Sequence, residues 1–239
     1  MIPARYASSR FPGKPLADLA GKPLIHRVYE AVAAAEVFDT IIVATDDARI
    51  AATVEAFGGT AVITATDHPS GTDRVAEAAA HYPGASLVVN VQGDEPFINR
   101  AELRQLVDAF AEPTIAIATL ATPIREESQL MSPNVVKVVR DRAGGALYFS
   151  RHAIPYLRDV KVGRWLQEGR HLQHVGVYAF RSEVLRTITQ LPPSPLERAE
   201  SLEQLRWLEA GYRIHVGLTD HPAVGIDTPA DLALAAARY

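Results

Sequence analysis

Leu87-Val88-Val89-Asn90-Val91-Gln92-Gly93-Asp94-Glu95-Pro96 is the stretch on which the fold turns. Its first five residues are apolar except for Asn90, the pattern of a strand covered by helices on both faces of a parallel sheet. The strand then breaks into a polar turn of glycine, two carboxylates and proline. In open α/β sheets, ligands bind beyond the carboxyl ends of the strands, which makes Asp94 a candidate site residue. An ordinary strand-end turn would use the same residue types.

Outward from this strand, the β-branched runs at 40–45 and 60–64 read as strands, and the Ala-rich stretches at 48–57 and 71–81 read as helices. A further helix is expected over 100–110. The alternation predicts an α/β chain of parallel strands joined by crossover helices. Runs at 114–122, 135–140, 146–149 and 174–180 lie closer together, so antiparallel pairings are expected among them. One amphipathic helix is expected over 196–209, with Leu202, Leu205 and Leu208 on one side. The last helix spans 228–238, with Pro229 near its start, where a missing N–H costs least.

The length of 239 residues suits one α/β domain carrying a smaller lobe. Hydrophobic content of 48% and charge of 22% are ordinary, and apolar runs such as 115–118 are far too short to cross a bilayer. The first residues lack the pattern of a secretion signal, so none is expected, and there is no cysteine. A soluble, cytoplasmic protein without membrane insertion is expected. The net charge of −4 argues against a nucleic-acid partner, since such proteins neutralise many phosphates with clustered cations. Any anionic ligand must be held locally.

The local device is the loop at 2–16, where Arg5, Arg10 and Lys14 stand with Ser8, Ser9, Gly13 and several prolines. Such a loop can set backbone donors and cations against a triphosphate, though each charge alone would more often be a solvated surface group. It is not a Walker loop: Ser8 stands where the first glycine belongs, and Pro15 follows Lys14. A GxGxxG fingerprint is absent, which disfavours a nicotinamide-dependent dehydrogenase. The histidines show neither HxH nor HExxH spacing, GxSxG is missing, and without cysteine no thiol nucleophile exists.

Arg10-Phe11-Pro12-Gly13-Lys14-Pro15-Leu16 resembles the N-terminal signature of the sugar nucleotidyltransferases. The likeness is strongest to those cytidylyltransferases that activate 3-deoxy-manno-octulosonate (Kdo). It continues in order through Ser70-Gly71-Thr72-Asp73-Arg74, residues 90–96, Pro133-Asn134-Val135-Val136-Lys137-Val138-Val139 and Ala146-Leu147-Tyr148-Phe149-Ser150-Arg151. His174-Val175-Gly176-Val177-Tyr178, Ser194-Pro195-Leu196-Glu197, Leu202-Glu203-Gln204-Leu205-Arg206 and Gly225-Ile226-Asp227-Thr228-Pro229 complete it. The resemblance implies a single nucleotidyltransferase domain over 1–239 with a Rossmann-like fold. Its mixed, mostly parallel central sheet is flanked by helices, and a smaller sheet lobe at about 123–195 serves sugar binding and dimerisation.

The same resemblance implies roles. Asp94 and Asp227 would hold Mg2+, a metal that takes one or two carboxylates and completes its shell with water and phosphate. Spacing alone would make Asp227 an N-cap for the last helix. Arg10 and Lys14 would stabilise departing pyrophosphate, making Arg10, Lys14, Asp94 and Asp227 the catalytic set. Pro3, Ala4, Arg5, Arg10, Lys14, Ser70, Gly71, Thr72, Asp73 and Asp94 would face the nucleotide, although Ser70 or Thr72 could equally cap a helix.

Arg10, Arg74, Gln92, Arg151, His174, Tyr178, Glu203 and Gln204 would face the acid sugar, which needs a guanidinium and neutral hydrogen-bonding groups. His174 and Tyr178, four apart in a strand, share a face. The implied reaction joins CTP and Kdo into CMP-Kdo and pyrophosphate, for lipopolysaccharide biosynthesis, by a homodimer. Other acids of sialic or 8-amino-Kdo type, or a non-catalytic nucleotide-binding protein, are the alternatives. As an exposed loop charge, Lys14 would add little to stability. Only Met1 and Ile2 precede Pro3, where the resemblance implies about five apolar residues, so a short first strand is expected.

Overall fold

A computed structural model of the chain describes residues 1–7, 11–221 and 225–239. In chain order the first half runs β1 (Ile2–Ala4), β2 (Asp18–Leu19), β3 (Lys22–Pro23), α1 (Leu24–Ala34), β4 (Ile42–Thr45), α2 (Ala48–Ala56), β5 (Thr60–Ile63), α3 (Gly71–Ala80), β6 (Leu87–Asn90) and α4 (Arg100–Asp108). The second half runs β7 (Ile117–Pro123), α5 (Glu127–Met131), β8 (Lys137–Arg140), β9 (Ala146–Ser150), α6 (Trp165–Glu168), β10 (Leu172–Arg181), α7 (Ser182–Ile188), α8 (Pro195–Glu200), α9 (Gln204–Glu209), β11 (Ile214–Leu218) and α10 (Pro229–Ala236).

β1, β4 and β5 form a parallel ladder. Met1 joins it to the rest: its amine donates to the Val89 carbonyl at 2.6 Å, and Val91 N–H donates to the Met1 carbonyl at 3.0 Å. One residue bonding to both neighbours of Asn90 is the hydrogen-bond pattern of a parallel pair, so a single sheet runs through β6. β10 then pairs antiparallel with β6, β7 and β8, and β9 pairs antiparallel with β8. β11 returns parallel to β7. The fold is therefore a mixed α/β sheet flanked by helices. β1 is short, as expected.

Alternation along β6 divides the core. Val89 and Val91 pack with Leu24, Ile25, Val28, Leu103 and Leu106 from α1 and α4, while Val88 packs with Val75, Leu185, Leu205 and Trp207 from α3, α7 and α9. Side chains of a strand alternate between faces, so the near-continuous apolar run feeds two cores at once. Each fully buried aliphatic side chain contributes roughly 2 kcal/mol from removal from water. A satellite cluster of Ile124, Leu130, Ala153 and Trp165 supports the 124–166 region.

The single helix expected over 196–209 is not formed. Ser201 takes a left-handed conformation, φ 51° and ψ 49°, and splits it into α8 and α9. The elbow lets Arg206 reach back to Glu197 at 2.5 and 2.7 Å, a pair that a continuous helix would hold too far apart.

Candidate active site

The tips of β1 and β6 cross at Gly93. A Cβ there would lie 2.7 Å from the Pro3 carbonyl oxygen, so only glycine lets the turn pass so closely. Ile226 N–H donates to the Asp94 carbonyl at 2.9 Å and fastens the approach to α10 onto the same turn. Three distant parts of the chain are thereby brought to one place.

Lys14 occupies that place. Gly13, at φ 73°, turns the loop and donates its N–H to the Tyr6 carbonyl at 2.9 Å. Lys14 Nζ then donates to Asp94 Oδ2 at 2.6 Å and to the Ile226 carbonyl at 2.8 Å, and lies 3.5 Å from Asp227 Oδ1. Two carboxylates from separate segments converge on one cation. The Lys14 side chain is only 14% exposed, which corrects the expectation of an exposed charge of little consequence for stability.

The capping role that spacing would give Asp227 falls to its neighbour. Thr228 is the N-cap of α10, its hydroxyl accepting from Asp231 N–H at 3.2 Å in a reciprocal capping box. Behind the cluster, the Glu95 carboxyl is pushed up to about 8, first by burial and then by Asp94, Glu102 and Asp227.

A cleft of about 240 Å³ opens beside these groups. Of the residues expected to face the nucleotide, Pro3, Ala4, Arg5, Lys14, Ser70, Gly71 and Asp94 line it. Ser70 is also the N-cap of α3, accepting from Asp73 N–H at 3.1 Å, so the capping and cleft readings hold together. Thr72 and Asp73 do not line the cleft: Thr72 donates to Glu203 Oε2 at 2.7 Å, and Ser70 Oγ lies 2.7 Å from Asp73 Oδ2. Arg10, with Ser8 and Ser9, lies outside the described residues, as do 222–224.

Of the residues expected to face the sugar, Arg74 and Gln92 line the cleft. The buried Arg74 guanidinium donates to Thr64 Oγ1 at 2.5 Å and to Asp46 Oδ2 at 2.9 Å, which makes Asp46 its anchor. The His174 and Tyr178 rings meet, Tyr178 faces Glu203, and Gln204 is buried at the start of α9. Gln92 Nε2 donates to Asn90 Oδ1 at 3.4 Å, and Asn90 is the strand partner of Tyr178. Tyr178 Oη and Asn90 Nδ2 are buried without a hydrogen-bond partner among the described residues. Arg151 stands apart: its guanidinium donates to the carbonyls of Pro133, Glu200 and Ser201 at 2.9, 2.7 and 3.2 Å.

The His174 and Tyr178 rings are 5.2 Å apart, far closer than four residues of regular strand allow. The register of β10 on β7 slips between Val175 and Tyr178, and this bulge folds the strand so that the rings meet. Thr119, which no sequence motif marks, fastens the bulge. Its hydroxyl lies 2.7 Å from the Val177 carbonyl, 3.1 Å from that of Val175 and 3.0 Å from His174 Nε2. With one proton to give, it donates to a carbonyl and accepts from His174 Nε2–H, fixing a neutral tautomer. Burial holds the His174 pKa down to about 3.

Residues 1–214 match the family model described as cytidylyltransferase. The chain belongs to the cytidylyltransferase family. Among curated cytidylyltransferases, the 3-deoxy-manno-octulosonate cytidylyltransferase of Parabacteroides distasonis is 52% identical over 242 residues, covering 99% of this chain and 96% of the relative. That of Thermodesulfovibrio yellowstonii is 47% identical, covering 98% and 95%. A solved CMP:2-keto-3-deoxy-manno-octonic acid synthetase complexed with CTP superposes on this cytidylyltransferase with a TM-score of 0.91 at 44% identity, covering 99% of this chain and 95% of that one. A 4-diphosphocytidyl-2C-methyl-D-erythritol synthase of Anaerococcus prevotii shares the fold, with a TM-score of 0.62 at 15% identity.

Proposed function

We propose that this cytidylyltransferase activates Kdo with CTP, giving CMP-Kdo and pyrophosphate. The observation that carries the reading is the convergence of Lys14, Asp94 and Asp227 beside a cleft walled by Ser70 and Gly71, in a chain about half identical to enzymes named for this activity. The anomeric oxygen of the sugar acid attacks the α-phosphorus of CTP, the bond to the β-phosphate oxygen breaks, and the hydroxyl proton passes to solvent. No covalent intermediate with the protein is needed. Lys14 offsets the charge on the triphosphate and the leaving pyrophosphate, and the expectation for Arg10 is the same.

The donor set fits Mg2+: two carboxylates already share one cation, and such a metal completes its shell with water and phosphate. Asp94 and Asp227 would hold the ion, which when bound supplies charge neutralisation and alignment of the two anionic substrates. Ser70 and Gly71 serve the nucleotide. Gln92, His174, Tyr178, Glu203 and Gln204 serve the sugar acid, supported by two buried polar atoms, Tyr178 Oη and Asn90 Nδ2, that lack partners among the described residues. Exposed Leu147, Tyr156 and Val162, at 60%, 71% and 46%, support a homodimer through the lobe at about 123–195.

Pyrophosphate release measured across CTP, UTP and ATP, each with Kdo, 8-amino-Kdo and a nine-carbon sialic acid, tests the reading. Turnover is expected with CTP and Kdo. Preference for another nucleotide or acid would reassign the substrates, and silence across the whole matrix would favour a binding protein without catalysis.

A further inference from the structure

Ser70 Oγ stands between two carboxylates, 2.7 Å from Asp73 Oδ2 and 2.9 Å from Glu203 Oε1, while it accepts the Asp73 N–H at 3.1 Å. The other Glu203 oxygen accepts from Thr72 Oγ1 at 2.7 Å. A hydroxyl has one proton and two acceptor sites. If both carboxyls were ionised, one of the two short Ser70 contacts would set oxygen lone pairs against each other with no proton between them. Every atom is satisfied when one carboxyl carries a proton and donates it to Ser70 Oγ, which passes its own to the other.

Asp73 sits in the first turn of α3, beside the unpaired N–H groups of the helix start. Glu203 faces it across Ser70, and burial raises the Glu203 pKa. The groups facing it include Ser70, Thr72 and Asp73 from the turn, and Tyr178 from β10. Arg206 on its own helix would favour the ionised form, but that guanidinium is held by Glu197.

We infer that Glu203 is a neutral acid in the resting protein, the proton-holding link of a chain from Glu203 through Ser70 to Asp73 that locks the 70–73 turn onto the α8–α9 elbow. It acts as a positioning residue for the turn, in addition to any contact with the sugar. The consequence for the nucleotide rests on the reading of Ser70 and Gly71 as its wall. An anionic substrate then meets a hydrogen-bond donor network in place of a second buried negative charge.

Infrared difference spectroscopy of the ligand-free protein tests the proton directly. At neutral pH the wild-type minus Glu203→Gln difference spectrum is expected to show the carbonyl stretch of a protonated carboxylic acid, over and above the Glu95 band common to both proteins, and the wild-type minus Asp73→Asn spectrum to show none. Loss in Asp73→Asn alone, or no such band, overturns the inference, whatever the protein binds. Calorimetric titration with CTP alone then reads the consequence. Glu203→Gln, which can donate to Ser70 and accept from Thr72, should bind within about twofold of wild type at pH 7, and Glu203→Ala about tenfold more weakly. Affinity should fall more steeply at alkaline pH in wild type than in Glu203→Gln, since Glu95 ionises near 8 in both. A tenfold loss in Glu203→Gln at pH 7 would mean that an ionised carboxylate holds the turn, and would overturn the proposal. A wild type that binds no CTP would defeat the proposed function and leave the infrared result to decide this one.

Discussion

Lys14 Nζ stands between Asp94 and Asp227, 2.6 Å from one carboxylate and 3.5 Å from the other, so none of the three can be changed without altering the charge the other two face. The loop before α1, the tip of β6 and the entry to α10 are held together at the cleft mouth by this relationship.

Replacing the cation separates its two effects. Lys14→Ala is expected to lower kcat/KM at least about 100-fold, the scale of losing one preorganised charge at a phosphoryl centre. It should also cost about 1–3 kcal/mol of stability, because Asp94 and the Ile226 carbonyl lose a donor and two carboxylates are left facing each other. Steady-state kinetics and urea denaturation read the two effects. Wild-type turnover would remove Lys14 from the chemistry.

Asp94→Asn and Asp227→Asn should each abolish CTP-dependent retention of Mn2+, used as a paramagnetic substitute for Mg2+ and followed by electron paramagnetic resonance. Thr228→Ala is the control for position: it should cost about 1 kcal/mol as a lost N-cap while leaving the metal readout in place. Mn2+ retained by both carboxamide variants would move the metal elsewhere.

His174 makes acid stability measurable. In the unfolded chain it protonates near its ordinary value of 6.5, while in the fold it stays neutral to about 3. Between those values the unfolded state binds more protons, so this residue's contribution falls as pH drops below about 6.5, approaching a loss of ~5 kcal/mol near pH 3. Chemical denaturation as a function of pH should show a shallower acid limb for His174→Asn than for wild type. Parallel limbs would refute the buried neutral tautomer.

Glu197 and Arg206 hold the α8–α9 elbow, with side chains only 14% and 7% exposed. Glu197→Ala leaves a largely buried guanidinium without its counter-charge and should cost about 3–5 kcal/mol. A double-mutant cycle with Arg206→Met checks this, since removing both charges should recover part of the loss.

The strands and helices written in period were legible before any coordinates. The apolar run at 87–91 gave β6 and its double burial, and the closely spaced later runs gave the antiparallel part. α1 carries no start signal: Leu24, Ile25, Val28 and Val32 mark its buried face, but Pro23 stands where a polar cap would. The elbow at Ser201 was invisible because a left-handed serine leaves no sign in hydrophobic periodicity. Asp94, Asp227 and Lys14 were legible through family motifs, and spacing alone favoured capping for Asp227. Thr119 carried no motif: its part depends on a bulge in a neighbouring strand, a tertiary event that local sequence does not record.

Phosphorus NMR of CTP, Kdo and Mg2+ incubated with the protein tests the account most directly. It predicts that the triphosphate resonances are replaced, in equal amounts, by one phosphodiester signal from CMP-Kdo and by pyrophosphate. Orthophosphate with CDP, or triphosphate signals left unchanged, would contradict it.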